Sequence, residues 1–494
     1  MTAVGLLAGC PDRTISEPAV SQGRVEYKDI PVTVNRDIDL LFLIDDSPSM
    51  LDKQSNLKMN FPSFVNVLNT IQGGLPNIHI GVTTSDLGAK GADDPSPLMP
   101  GVGNGPGACI GQGKAGILQT YGAPVTGAYL VDTANADGTR STNYMGNLSD
   151  VFTMMASAGA NGCGFEQHIE ASKRALQPTN TANAGFLRPT AFLAIIILAD
   201  EDDCSFAHST LIDPNNMALG PLQSFRCTRF GITCDQGGGT PDQMNVTGPK
   251  GMCHSNESGQ YLTKIGDYVT FFKGLKSDPN NVIMAAIVGV TDPFAVEMRA
   301  PPGTSSQPIP ALAHSCSYTD MTGATEVADP AVRIKQLLDN FPNRNTFSTI
   351  CQQDLSGGLQ LIAELLKTVI GSPCVDGTLA DVDPNTPGPQ YDCSVSDVIH
   401  FGMTDAVETV LPACNNTTNP HASTNAPCWA IELDSQAMPP QMCATPTHLT
   451  LVIERGNTTP APDTHTISYC VTCTDVINNV TKMPPADGVC DPTM

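Results

Sequence analysis

Basic residues are scarce. Only 25 Lys and Arg stand against 49 Asp and Glu in 494 residues, a formal net charge of −24. Phosphate backbones are gripped by Lys and Arg, so nucleic acid is excluded as the natural partner. Charged residues of both signs make up 15% of the chain, below the usual quarter. No apolar run approaches the roughly 20 residues needed to cross a bilayer. Catalytic signatures are missing as well: there is no His-Glu-x-x-His, no Gly-x-Ser-x-Gly and no Walker sequence. The nine histidines are scattered. A non-enzymatic protein is therefore expected.

What the chain has in quantity is Gly (44), Pro (40) and Cys (17). Scattered cysteines in a loop-rich chain read as disulfides formed in an oxidising space. The odd count has an explanation at the start. Leu7-Ala8-Gly9-Cys10 closes a short apolar run and resembles the lipobox of bacterial lipoproteins. That resemblance implies a signal peptide over residues 1–10 and a lipid on Cys10, leaving 16 cysteines. It implies a membrane partner through the anchor and a place in the cell envelope, at the outer membrane or cell surface. Residues 11–36 are polar and mixed and read as a tether, with Val32-Thr33-Val34 as an edge strand.

Ile38 to Ile44 is a nearly continuous apolar run of strand length, as expected for a strand covered on both faces. It ends in Asp45-x-Ser47-x-Ser49, one carboxylate and two hydroxyls on a tight turn. Ligands of open α/β sheets bind at the carboxyl ends of strands, and oxygen-only donors suit Mg2+, Mn2+ or Ca2+. The plainer reading is a polar cap for the next helix. The motif, in this position, resembles the metal-ion-dependent adhesion site of von Willebrand factor type A domains. A second apolar run, Ala191–Ala199, ends in Asp200-Glu201-Asp202-Asp203-Cys204. By resemblance Asp200 is the second metal-linked aspartate, although Glu201 stands where the family has glycine.

The family's second loop carries a metal-binding threonine before a helix. Here that stretch is Gly162-Cys163-Gly164-Phe165-Glu166 and lacks one. Glu166 is either the substitute ligand or a first-turn glutamate complementing the helix dipole. Cys163 and Cys204 lie on the two loops that flank the Asp45 turn in the family's arrangement, which implies a Cys163–Cys204 disulfide bracing the site.

Strand-like and helical stretches alternate between residues 37 and 374. The fold class expected is α/β: a doubly wound, mostly parallel sheet of von Willebrand type A or Rossmann-like kind. Insertions fall at about 86–148 and 205–257. The first holds Gly111-Gln112-Gly113-Lys114-Ala115-Gly116, which has no preceding strand and reads as an irregular loop. Residues 375–494 form a small disulfide-rich β domain, with Asp381-x-Asp383-x-Asn385 a weak calcium-loop pattern. The arrangement resembles the large Cys-rich type A lipoproteins of myxobacteria. The function implied is binding of a protein ligand through a divalent cation held by Asp45, Ser47, Ser49, Asp200 and Glu166. The alternatives are a structural surface protein with a degenerate metal site, or a metal-dependent hydrolase.

Overall fold

The computed structural model describes residues 24–31, 36–71, 74–95, 101–135, 139–301, 307–370, 373–375, 379–380, 389–401, 403–433, 435–437, 447–456, 458, 460 and 464–472. Cys10, the 32–34 stretch and the 381–385 pattern lie outside them. The chain divides into a unit of Asn35–Val369 and a second unit built from the residues on either side of it.

The larger unit is centred on a seven-stranded sheet. Its strands are β1 (Asp37–Ile44), β2 (Asn77–Thr84), β3 (Leu130–Ala134), β4 (Arg140–Thr142), β5 (Phe192–Leu198), β6 (Val282–Val288) and β7 (Asn345–Thr349), in the order β7-β6-β5-β1-β2-β3-β4. Residues of β1, β5 and β6 are almost wholly buried, which is why each reads as an uninterrupted apolar run. Asp45 and Asp200 follow β1 and β5, which are parallel neighbours, so both turns open at the same edge.

The expected doubly wound, mostly parallel plan is not what the chain builds. The large sheet is mixed, because β3 runs antiparallel to β2 and β4 antiparallel to β3. Five further sheets among the described residues are antiparallel throughout. Among the described residues four strand pairings are parallel and eleven antiparallel. The reason lies in the connections. A parallel pair needs a long crossover; β4 follows β3 too closely for one, and the long Gly- and Pro-rich segment between β2 and β3 brings β3 back in the opposite sense. One such sheet runs Ile309–Leu312, Phe294–Arg299, Gly248–Ser255, Ile232–Gln236.

Helices α1 (Leu51–Asn69), α2 (Leu148–Met155), α3 (His168–Leu176), α4 (Ile265–Lys273), α5 (Val332–Asp339) and α6 (Ser356–Ile370) belong to this unit, with shorter turns between them. Pro62 lies inside α1 rather than near its start. Phe61 of α1 stacks on Phe152 of α2 with ring centroids 3.6 Å apart, and Phe42 of β1 meets both. These buried rings, each contributing about 1.5–3 kcal/mol by burial, hold α1 and α2 against β1.

In the smaller unit, Arg24–Pro31 pairs with His465–Thr472, which pairs with Cys393–Ile399 and then Val407–Leu411. The expected tether is therefore in part a strand. Cys428–Leu433 and Leu449–Glu454 make a second hairpin around Trp429. Six disulfides join described residues: Cys109–Cys163, Cys204–Cys227, Cys234–Cys253, Cys316–Cys351, Cys393–Cys470 and Cys414–Cys428. The Cys163–Cys204 bridge inferred from resemblance is thus replaced by two others. The 86–148 segment folds back so that Gly107 bridges Cys163, bringing Cys109 within 4.4 Å of it (Cα to Cα). Cys234 faces Cys253 across a ladder, which puts the two in register for their bridge.

Candidate functional site

Asp45 is held at the end of β1 by its amide, which donates to Leu198 O at 2.9 Å. The side chain is fully buried. Its Oδ1 accepts from Ser47 N at 2.8 Å and from the Ser85 hydroxyl at 2.9 Å. Its Oδ2 has no hydrogen bond. Gln54 ties the turn from behind, donating to Asp45 O (2.8 Å) and Gly159 O (2.7 Å). Gly162 N donates to Asp46 O at 2.7 Å, and a Cβ at Gly162 would stand 2.3 Å from Asp46 Oδ1, so only glycine permits that approach.

Neither serine of the motif is spent on capping. Ser47 and Met50 begin the 3-10 turn and α1 without any side-chain cap. Instead the Ser47 and Ser49 hydroxyls lie 3.1 Å apart, and Ser49 Oγ donates to Asp200 Oδ1 at 3.1 Å. Asp45, Ser47, Ser49 and Asp200 therefore form one connected group at the sheet edge. Pro48, Ser49 and Leu51 are exposed, so the group opens to solvent on one side.

Glu166 lies within electrostatic reach of Asp45 and Asp200. It is 1% exposed, its Oε2 lacks a partner, and it lines a cavity together with Glu201. Burial pushes its carboxyl well above the usual range, and Glu201, Asp45 and Asp200 add to the effect. Burial, with Asp45 beside it, likewise raises Asp200 to about 7. Among the described residues no group of three or more His, Cys, Asp or Glu side chains is placed to hold a metal. The Asp45 group has a different make-up, two carboxylates with two hydroxyls, and a buried carboxylate oxygen without a hydrogen bond in such a group fits a hard cation.

Three basic groups that the sequence reading passed over surround the turn. Lys53, 1% exposed, places Nζ 3.1 Å from Asp200 Oδ2, 2.9 Å from Glu326 and 3.0 Å from Ser49 O. Burial opposes its charge, but Asp200 and Glu326 raise its pKa overall. His168 Nε2 is 3.4 Å from Asp45 Oδ2, an ion-pair distance beyond good hydrogen-bond geometry. Burial disfavours the imidazolium, yet Asp45 raises His168. In return His168, with Ser47 and Ser85, outweighs burial and holds Asp45 below the usual carboxylate range. Lys114 pairs with buried Asp46 and lies 3.2 Å from the Tyr121 hydroxyl. Lys53 follows Ser49 by four residues, one helical turn, and that spacing was a usable signal. His168 and Lys114 carried none.

No family profile matches the chain. No curated protein matches it. Among solved structures, the pilus adhesin RrgA from Streptococcus pneumoniae is 11% identical with a TM-score of 0.26, over 91% of this chain and 58% of that one. The chain thus spans less than two thirds of that adhesin's length. The adhesive tip pilin GBS104 from Group B Streptococcus agalactiae is 10% identical with a TM-score of 0.27, over 90% of this chain and 80% of that one.

Proposed function

We propose that this chain is a cell-envelope protein that binds a protein partner through a divalent cation at the Asp45 turn. The observation that carries the reading is Asp45 Oδ2, a fully buried carboxylate oxygen with no hydrogen bond that faces His168 Nε2 at 3.4 Å. Ser47 and Ser49 stand beside it with hydroxyls not used for capping. Asp45, Ser47 and Ser49 would hold the ion, and Asp200, linked through the Ser49 hydroxyl, would set the charge behind it. The ion would supply a Lewis-acidic position for a carboxylate of the partner. Exposed Pro48, Ser49 and Leu51 offer a rim on which that partner could rest. The loops resemble a modified type A adhesion site, with Lys53 and His168 as its internal counter-charges. Disulfides in both units favour an oxidising location, and lipidation at Cys10 would supply the anchor.

Isothermal titration of the protein with Mg2+, Mn2+ and Ca2+, repeated on Asp45→Ala, tests this. Binding at roughly millimolar ion or tighter, lost in Asp45→Ala, is expected. Absence of binding by the wild type removes the reading. Binding unchanged in Asp45→Ala moves the ion elsewhere.

A further inference from the structure

A cavity of about 270 Å3 opens beside the sheet edge. Glu166, Glu201 and Asp203 line it, and Arg299 with the strand Ile309–Leu312 forms one wall. Phe225, Ile232, Pro310 and Leu312 give it an apolar lining. Exposed Ala300 and His314 lie at its mouth. None of Asp45, Ser47, Ser49 or Asp200 lines it, so it is a different place from the proposed cation site. The volume lies just under the low end of pockets that hold small ligands, about 300–1,000 Å3.

The charges around the cavity divide into two sets. Asp203 is paired with Arg333, whose Nε and Nη2 lie 3.2 Å from its Oδ2. Arg333 also donates to Ser255 Oγ (2.7 Å) and Thr263 O (2.8 Å). Asp202 accepts from the amides of Arg333 and Ile334 at the start of α5. Asp329 is 2.6 Å from His314 Nδ1, and Arg299 meets Glu297, His314 and Leu312 O. Those groups balance one another. Glu166 and Glu201 do not share in this pairing. Both carboxyls line the cavity, and Oε2 of buried Glu166 has no hydrogen-bond partner. Two like charges in a partly dry wall repel unless a cation or a proton comes between them.

We propose that this cavity receives a cationic group on an apolar stem, an alkylammonium or guanidinium, with Glu166 and Glu201 taking the charge and Phe225, Ile232 and Leu312 packing the stem. A bare metal ion would leave most of the volume unfilled, since a water-sized particle occupies only about 30 Å3. A wholly apolar ligand would leave the unpartnered oxygen of buried Glu166 without a hydrogen-bonding or charged partner. A side chain that is apolar along its length and charged at its tip satisfies both ends of the pocket. The group could arrive as a Lys or Arg side chain of a protein or as a free amine, and the chemistry recognised is the same. The residues that line this site are not those proposed to hold a cation at Asp45.

The test is titration of the full chain in EDTA with N-acetyl-lysine methylamide, N-acetyl-arginine methylamide, n-butylammonium and the uncharged N-acetyl-norleucine methylamide. The charged probes should bind, and the norleucine derivative should bind at least about tenfold more weakly. Glu201→Gln and Glu166→Gln keep shape while removing charge, and each should weaken the charged probes about tenfold or more, with unchanged near-ultraviolet circular dichroism showing that the fold is kept. The lysine derivative binding more tightly than n-butylammonium identifies a protein side chain as the source; equal binding identifies a free amine. No binding at roughly 10 mM probe, equal binding of the norleucine derivative, or a site that takes Ca2+ but no amine overturns the proposal. Because chelator is present throughout, these outcomes do not depend on whether the Asp45 turn holds an ion.

Discussion

Lys53 Nζ lies 3.1 Å from Asp200 Oδ2, with the two side chains 1% and 3% exposed. The ammonium thus sits inside the group of oxygens proposed to bind a cation and offsets part of its negative charge. Breaking a buried pair by removing one partner costs about 3–5 kcal/mol, because the other charge is left uncompensated. Lys53→Met should therefore destabilise the cation-free protein by about that amount in urea unfolding. The same change should raise divalent-cation affinity in calorimetry, since the site becomes more negative. A variant that loses stability without gaining affinity would mean that Asp200 does not face the ion.

Lys114 plays a similar part for Asp46, whose carboxyl burial raises to about 6 even with Lys114 opposing the shift. Lys114→Met should push the Asp46 carboxyl higher still, so that it is protonated at neutral pH. Infrared or NMR titration of the Asp46 carboxyl, compared with the wild type, reads this directly. An unchanged Asp46 titration would contradict the pairing.

The Cys109–Cys163 bridge closes a separation of 54 residues, for which chain entropy gives about 4 kcal/mol. Cys109→Ser with Cys163→Ser should lower stability by up to that amount. It should also weaken cation binding, because the loop that carries Gly162 against Asp46 O is no longer held from the other side. Chemical denaturation and ion titration of the double variant measure both effects.

In chelator, stability should rise on acidification from about pH 8 to about pH 5. Burial, as the largest cause, raises Asp46 and Asp202 to about 6 and Asp200 to about 7, all from 3.8. Between 3.8 and those values the folded chain holds protons that the unfolded chain has released, so stability falls as pH rises through that window. His168, raised from 6.5 by Asp45 against the effect of burial, acts in the same direction. Its contribution is complete below 6.5 and is lost as pH rises through the folded value. Asp45, held low by His168, Ser47 and Ser85 despite burial, has the opposite sign, but its contribution is lost only as pH falls below about 4. Melting temperatures in EDTA across this range check the sum. Saturating divalent cation should flatten the profile by favouring the ionised carboxylates.

The strands under the site were legible because burial on both faces writes itself as an apolar run, as in β1, β5 and β6. The turn after β1 was legible because Asp45, Ser47 and Ser49 are adjacent in sequence. The plan of the sheets was not. Whether Leu130–Ala134 runs with or against its neighbour depends on where a long Gly-rich segment turns, and composition does not encode that. Disulfide partners followed the same rule: Cys234 and Cys253 meet because a ladder puts them in register. Glu166 was visible as a carboxylate in the expected loop. That it turns toward Glu201 and the cavity is a matter of side-chain direction set by the packed helix α3 and the 204 turn, whose amide donates to Glu166 O at 2.8 Å.

The ladder between Arg24–Pro31 and His465–Thr472 joins almost the first described residue to the last. During synthesis the leading strand emerges long before its partner is made, and the whole of Asn35–Val369 can fold in the interval. The smaller unit is therefore the last to close, and a chain cut short before His465 leaves its opening strand as a bare edge, free to pair with another molecule.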